Sequence, residues 1–252
     1  MQISRIISLS RDFIIKTTSP LFLLFIEVHF AIVMHMNEHL RKLLKDAASS
    51  IHVTLEEPAL GLFHGYYREL AVWNEKMNLV SVRTPEELLI KHFVDSLTPL
   101  PYITCPQGRL LDIGSGAGFP GIPLKIARPG LHVFLLEASR KKSSFLRTLI
   151  RQLSLSQTTV IHARVESAMT DSAYRHVFDV VISRAAFKLS ELLKMGLFFL
   201  SPGGLLIAMK GPRGEEEKQT PRDLGLRCIA CHNISLPFNG GQRKIVIFQA
   251  DI

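Results

Sequence analysis

Residues 110–121 read Leu110-Leu111-Asp112-Ile113-Gly114-Ser115-Gly116-Ala117-Gly118-Phe119-Pro120-Gly121, and this stretch decides the fold. A short apolar strand ends at Ile113, the chain turns on four glycines, and a helical pattern follows. Glycine permits positive φ and lets the backbone approach a ligand with no Cβ in the way. Ligands of open α/β sheets bind at the carboxyl ends of the strands, where such a loop sits. The stretch therefore implies a Rossmann-like α/β sheet holding a nucleoside-type cofactor.

The loop contains a dinucleotide fingerprint, Gly116-x-Gly118-x-x-Gly121. Glu137 lies 21 positions past Gly116, where a ribose-binding carboxylate is expected. Two features argue against NAD. Pro120 and Pro123 fall at the start of the following helix, and proline has no N–H to offer a pyrophosphate. Asp112 places a carboxylate at the mouth of the first strand, a poor neighbour for a diphosphate. It suits an ammonium or a sulfonium, and S-adenosylmethionine carries both and no phosphate. A methyltransferase is thus favoured, its acceptor among RNA, protein and small molecules left open by the loop, with an NAD-dependent oxidoreductase as the lesser alternative.

Outward from the loop, strands are expected at 109–113, 132–137, 158–162, 178–183 and 204–210, alternating with helices. That order implies a parallel sheet with helices on both faces. Residues 226–236 and 243–250 read as a closing antiparallel pair, which fits a methyltransferase-type Rossmann sheet better than a dehydrogenase domain. Residues 102–252 make this domain. Residues 36–101 form a helical N-terminal extension on the substrate side, with helices near 37–50, 56–76 and 85–97. Thr84 and Glu87 look like a capping box opening the last of them.

The 252 residues carry 30 Lys and Arg against 22 Asp and Glu, a net charge of +8, which favours an anionic partner. Arg140, Lys141, Lys142, Arg147 and Arg151 fall in one expected helix with no acidic residue among them. Ion-paired helices alternate sign, so this one is expected to face phosphates. Cys105, Cys228 and Cys231 are too few for a disulfide framework. Cys228 and Cys231 form a lone C-x-x-C with no further ligands at metal spacing, so no metal is expected. Both are expected to be packing residues of a late strand in a reducing, cytoplasmic protein.

Several side chains are candidates for chemistry. Glu137 closes the second strand and can accept both ribose hydroxyls. Arg164-Val165-Glu166 follows the third strand, where backbone groups can read an adenine edge. Arg184 ends the fourth strand beside the glycine loop; a salt bridge to Asp179 or Asp112 is the plain alternative to a ligand role. In the extension, Asn74 and Asn78 stand at a helix end, and His92 and Asp95 share a helix face as a base pair or a local hydrogen bond.

Taken together, the chain resembles the RsmG family (glucose-inhibited division protein B), methyltransferases of bacterial 16S ribosomal RNA. The resemblance runs from about residue 37 to the end. It rests on Trp73-Asn74-Glu75-Lys76-Met77-Asn78-Leu79, His92-Phe93-Val94-Asp95-Ser96, the glycine loop with its Phe119-Pro120-Gly121 tail, Ile182-Ser183-Arg184-Ala185 and Pro202-Gly203-Gly204. It implies a class I S-adenosylmethionine-dependent fold and methylation of a guanine N7 in the decoding-region loop of 16S rRNA. It implies cofactor contacts at Gly114, Phe119, Val165, Glu166 and Arg184, beside Asp112, Gly116, Gly118 and Glu137 from the loop reading. Asn74, Asn78, His92 and Asp95 are the substrate-side candidates, and 16S rRNA or the small subunit the partner, with no stable membrane partner. The loop 211–225 is poorly matched.

Residues 1–35 lie outside the resemblance. Arg5, Arg11 and Lys16 precede an apolar run from Leu21 to Met34, interrupted by Glu27 and His29. The run is short for a membrane span, and a membrane anchor is the lesser alternative. We expect an upstream extension, with translation starting at Met34 or Met36. Intact-mass measurement of native protein should show residues 1–33 missing; a mass that includes them would contradict this.

Overall fold

The computed structural model describes residues 37–211 and 224–251. Strand β1 (Arg109–Ile113) is apolar on both faces, so it must lie between two layers. Leu110 points into one core, Leu111 and Ile113 into the other. By the same alternation Asp112 shares the Leu110 face. Parallel to β1 run β2 (His132–Leu136), β3 (Thr158–Ile161), β4 (Phe178–Arg184) and β5 (Leu200–Lys210). The last two strands are β6 (Leu226–Leu236) and β7 (Gly241–Ala250). The order is β3-β2-β1-β4-β5-β7-β6, with β7 antiparallel to both neighbours. The order reverses between β1 and β4, which opens a crevice at their carboxyl ends.

The extension packs on the Leu110 face. Helix α1 (Glu38–Ser50) starts at Asn37, whose Oδ1 accepts the Leu40 N–H. Helix α2 (Glu57–Met77) stops at Asn78, which turns left-handed at φ 46°. Next come α3 (Pro85–Leu88), a π-helical segment Leu89–Val94 and a last turn, α4 (Asp95–Leu97). The π segment departs from the plain helix expected there; such wide turns concentrate at functional sites. Leu44, Phe63 and Phe93 of the extension share one core with Leu110 and Leu135. Helix α5 (Gly121–Ala127) and α6 (Arg140–Gln152) join that core through Ile122 and Phe145. The opposite face is covered by α7 (Val165–Ala168) and α8 (Leu189–Phe199).

The first turn of α5 presses directly on β1. A Cβ on Gly121 would sit 2.5 Å from Leu135 Cδ2 and 2.9 Å from Asp112 Oδ2, so only glycine fits. Pro120 is the N-cap and not a first-turn residue, while Pro123 lies inside the turn.

Cys228 and Cys231 are exposed, contrary to the packing role expected of them. A bulge between Cys228 and Ala230 shifts the register of β6, which is an edge strand. Among the described residues no group of acidic, His and Cys side chains could hold a metal ion. Among them, too, no helix is long and apolar enough to cross a membrane. The expected upstream extension (1–35) lies outside the described residues, as do residues 212–223 of the 211–225 loop.

Candidate active site

The glycine loop is held from below by two buried groups. Asp112 is fully buried beneath it, and its Oδ2 accepts the Gly121 N–H at 2.9 Å. This differs from the open position expected at the strand mouth. Alternation along β1 points the carboxylate under α5, where it braces the loop. Its Oδ1 has no hydrogen-bond partner. Burial pushes the Asp112 carboxyl up to about 7. From the extension, Tyr66 donates its hydroxyl to Ala117 O at 2.5 Å and stacks on Phe119 and Phe93. Gly116 has φ 60°, and a Cβ there would meet only Gly114 O, at 3.9 Å.

No amide at the start of α5 is left for a phosphate. Pro120 and Pro123 have none, the Gly121 N–H goes to Asp112, and the Ile122 N–H goes to Gly118 O. Glu137, just past β2, reaches the loop from the other side. Its Oε2 accepts the Gly116 N–H at 2.8 Å and its Oε1 the Ser139 N–H at 2.7 Å. Each carboxylate oxygen keeps a second acceptor position. Val165 is buried at the first turn of α7 and Glu166 is exposed beside it.

Arg184 leaves the end of β4 on the extension's face of the sheet, the parity shared with Val180 and Ile182. Its guanidinium donates to Asp95 Oδ2 at 3.2 Å, Lys91 O at 3.1 Å and His92 Nδ1 at 3.0 Å. It also lies 5.0 Å from the centre of the Phe119 ring. The carboxylate partner is thus Asp95, while Asp179 accepts the Arg109 N–H on the far side of the strand. Asp95 Oδ1 takes a second guanidinium, Arg243, at 3.1 Å. His92 and Asp95 do not pair with each other; both serve Arg184. Burial, with Arg184 and Arg243 nearby, lowers the His92 imidazole to about 3.

Asn74 and Asn78 are spent on local structure. Asn74 Oδ1 accepts the Val80 N–H at 2.9 Å and Asn78 caps α2. They thereby set the 79–81 segment across from the glycine loop. Between the two lies a cavity of about 250 Å³, lined also by His92 and Arg184. A second cavity of about 410 Å³ shares His92 and Arg184 and adds Lys91, Asp95, Lys210 and Arg243. The second is lined by four basic side chains and one carboxylate, with Lys91 also paired to Glu87.

A family model described as "rRNA small subunit methyltransferase G" (GidB) matches residues 60–246. The ribosomal RNA small subunit methyltransferase G of Syntrophus aciditrophicus is 44% identical over 216 residues, covering 84% of this chain and 90% of its own. That of Geotalea uraniireducens is 40% identical over 218 residues, covering 85% and 98%. The chain belongs to the GidB family. Among solved structures, the cyclase SpnF superposes with a TM-score of 0.50 at 15% identity, covering 63% of this chain and 81% of that one. That likeness speaks to the class I methyltransferase fold alone, since one fold hosts many reactions.

Sequence reasoning missed Arg243, Lys91 and Tyr66 in this GidB-family chain. Arg243 had a usable signal, because it shares strand parity with the core residues Ile245 and Ile247. Lys91 and Tyr66 had none, since a π turn and a 51-residue separation hide them.

The buried Asp112 carries a prediction for stability. A carboxyl raised from about 4 in the unfolded chain to about 7 in the fold favours the protonated folded form. Its stabilising effect is full below pH 4 and is lost as pH rises through 7. Asp112→Asn keeps an acceptor for Gly121 and removes the titration. Urea unfolding from pH 4 to 8 should show stability falling more with pH in the unsubstituted protein than in the variant. Equal pH slopes would contradict the assignment.

Proposed function

We propose that this chain transfers the methyl group of S-adenosylmethionine to N7 of a guanine in the decoding-region loop of bacterial 16S rRNA. The observation that carries the reading is the meeting of two cavities at His92 and Arg184. One is walled by the glycine loop and the other is cationic. The occupied amides at the start of α5 suit a cofactor without phosphates. S-adenosylmethionine supplies an electrophilic methyl group on a sulfonium.

Each cofactor-side residue then has a defined task. Glu137 would take the ribose hydroxyls on its free acceptor positions. Gly114, Gly116, Gly118 and Phe119 would form the wall along the bound nucleoside, with Asp112 bracing them from beneath. Val165 and Glu166 would meet the adenine end. Arg184 would close the cavity toward the acceptor.

Guanine N7 has an in-plane lone pair and no proton to lose, so the step needs no general base. His92 is already committed, with its Nδ1 bonded to Arg184. The residues' task is alignment, a proximity effect. Helix α6 supports RNA as the acceptor. Arg140, Lys141, Arg147 and Arg151 are exposed on it, and none of them forms an ion pair among the described residues. Binding through phosphates there would weaken steeply with salt. This reading places the protein in the cytoplasm, with the small ribosomal subunit or its 16S rRNA as partner. Residues 36–101 then act as the substrate-side extension of a methyltransferase domain at 102–252.

The test is methyl transfer from labelled S-adenosylmethionine to small subunits of a strain lacking its own family enzyme, followed by nucleoside analysis. Label should appear in N7-methylguanosine of 16S rRNA. No transfer, or label in another nucleoside or in protein, would overturn the proposal.

A further inference from the structure

We infer that His92 reads the acceptor base, donating a hydrogen bond from Nε2 to the O6 of guanine while leaving N7 free for methylation. The inference rests on the proposed guanine acceptor and assigns the group that selects it.

The partner of Nδ1 fixes the state of the His92 ring. A guanidinium can only donate, so the 3.0 Å contact between Arg184 and His92 Nδ1 makes that nitrogen an acceptor. The imidazole is therefore neutral, with its one proton on Nε2. Burial beside Arg184 and Arg243 keeps it so, at a value near 3. Chain geometry thus fixes the tautomer, which proximity in sequence could not do.

The ring is also held in place. It tilts against Phe119 with centroids 5.1 Å apart, while Arg184 grips its other nitrogen. Its Nε2–H makes no hydrogen bond among the described residues, and it is not sealed from solvent. His92 lines both cavities, the place where methyl group and base would meet. An oriented donor of this kind needs an acceptor from the ligand.

Guanine offers O6 next to N7 on its major-groove edge, whereas adenine presents an N6 amino donor there. A single neutral N–H therefore accepts guanine and opposes adenine. Asn74 and Asn78, the substrate-side candidates at the end of α2, line neither of the two cavities. The three donor contacts of Arg184 go to His92, Lys91 and Asp95.

Two substitutions separate reading from scaffolding. In His92→Asn the amide oxygen stands near the Nδ1 position, so the Arg184 bond survives and the pocket donor is lost. In His92→Gln the amide nitrogen reaches the Nε2 position and restores a donor. Affinity for S-adenosylmethionine and kcat/KM for small subunits would be measured for both, alongside the unsubstituted protein. Cofactor affinity should stay within about threefold in each. Transfer should fall roughly threefold to tenfold in His92→Asn, the value of one neutral hydrogen bond, and recover in part in His92→Gln. A purely structural His92 predicts the reverse order, with His92→Asn the more active, and that order or equal activity would overturn the inference. Absence of transfer by the unsubstituted protein would instead overturn the guanine proposal itself.

Discussion

Asp95 lies almost completely buried between two guanidiniums, those of Arg184 and Arg243. The three residues come from the helical extension, β4 and β7, with up to 148 positions between them. One carboxylate thereby joins the extension to the carboxyl edge of the sheet where the crevice opens. Removing one partner from such a buried pair costs about 3–5 kcal/mol, because a charge is left uncompensated. The second guanidinium keeps the local charge positive, which suits a cavity that receives phosphorylated substrate.

Contacts run on from that junction to the glycine loop, which has braces of its own. Arg184 sits over Phe119, Phe119 stacks on Tyr66, and Tyr66 holds the carbonyl of Ala117 within the glycine loop. Asp112 and Glu137 pin the same loop from beneath and from β2. Every amide that might receive a phosphate at the start of α5 is absent or already bonded. The loop matches a dinucleotide pattern in letters, yet the N–H groups of Gly116, Gly118, Phe119 and Gly121 are committed to the protein.

Much of this was legible in the chain, for reasons that differ by residue. The strand and glycine run at 110–121 and the acidic residue at 137 lie within one βαβ unit, so spacing alone brings Glu137 to Gly116. Alternation puts Arg184 at the crevice. Its partner was not legible, because nearby carboxylates in sequence or sheet, Asp179 and Asp112, lie on another face or below the loop. The burial of Asp112 depends on how closely Gly121 lets α5 approach β1, a packing fact and not a pattern. The shared face of His92 and Asp95 was legible in the helical spacing, but the π turn within that helix and the guanidinium both residues meet were not. Cys228 and Cys231 were misplaced because an edge strand with a bulge exposes residues that alternation would bury.

The account's central claim is that Asp95 assembles the acceptor side while the glycine loop holds the cofactor independently. Asp95→Asn keeps the shape and one acceptor but removes the charge shared by Arg184 and Arg243. The decisive measurement pairs equilibrium binding of S-adenosylmethionine with kcat/KM for small subunits, in the same folded preparation and below its melting transition. Cofactor affinity should change by no more than a few-fold and transfer should fall by roughly two orders of magnitude, the scale of a small misplacement of aligned reactants. Unchanged transfer, or a loss explained wholly by weaker cofactor binding, would contradict it.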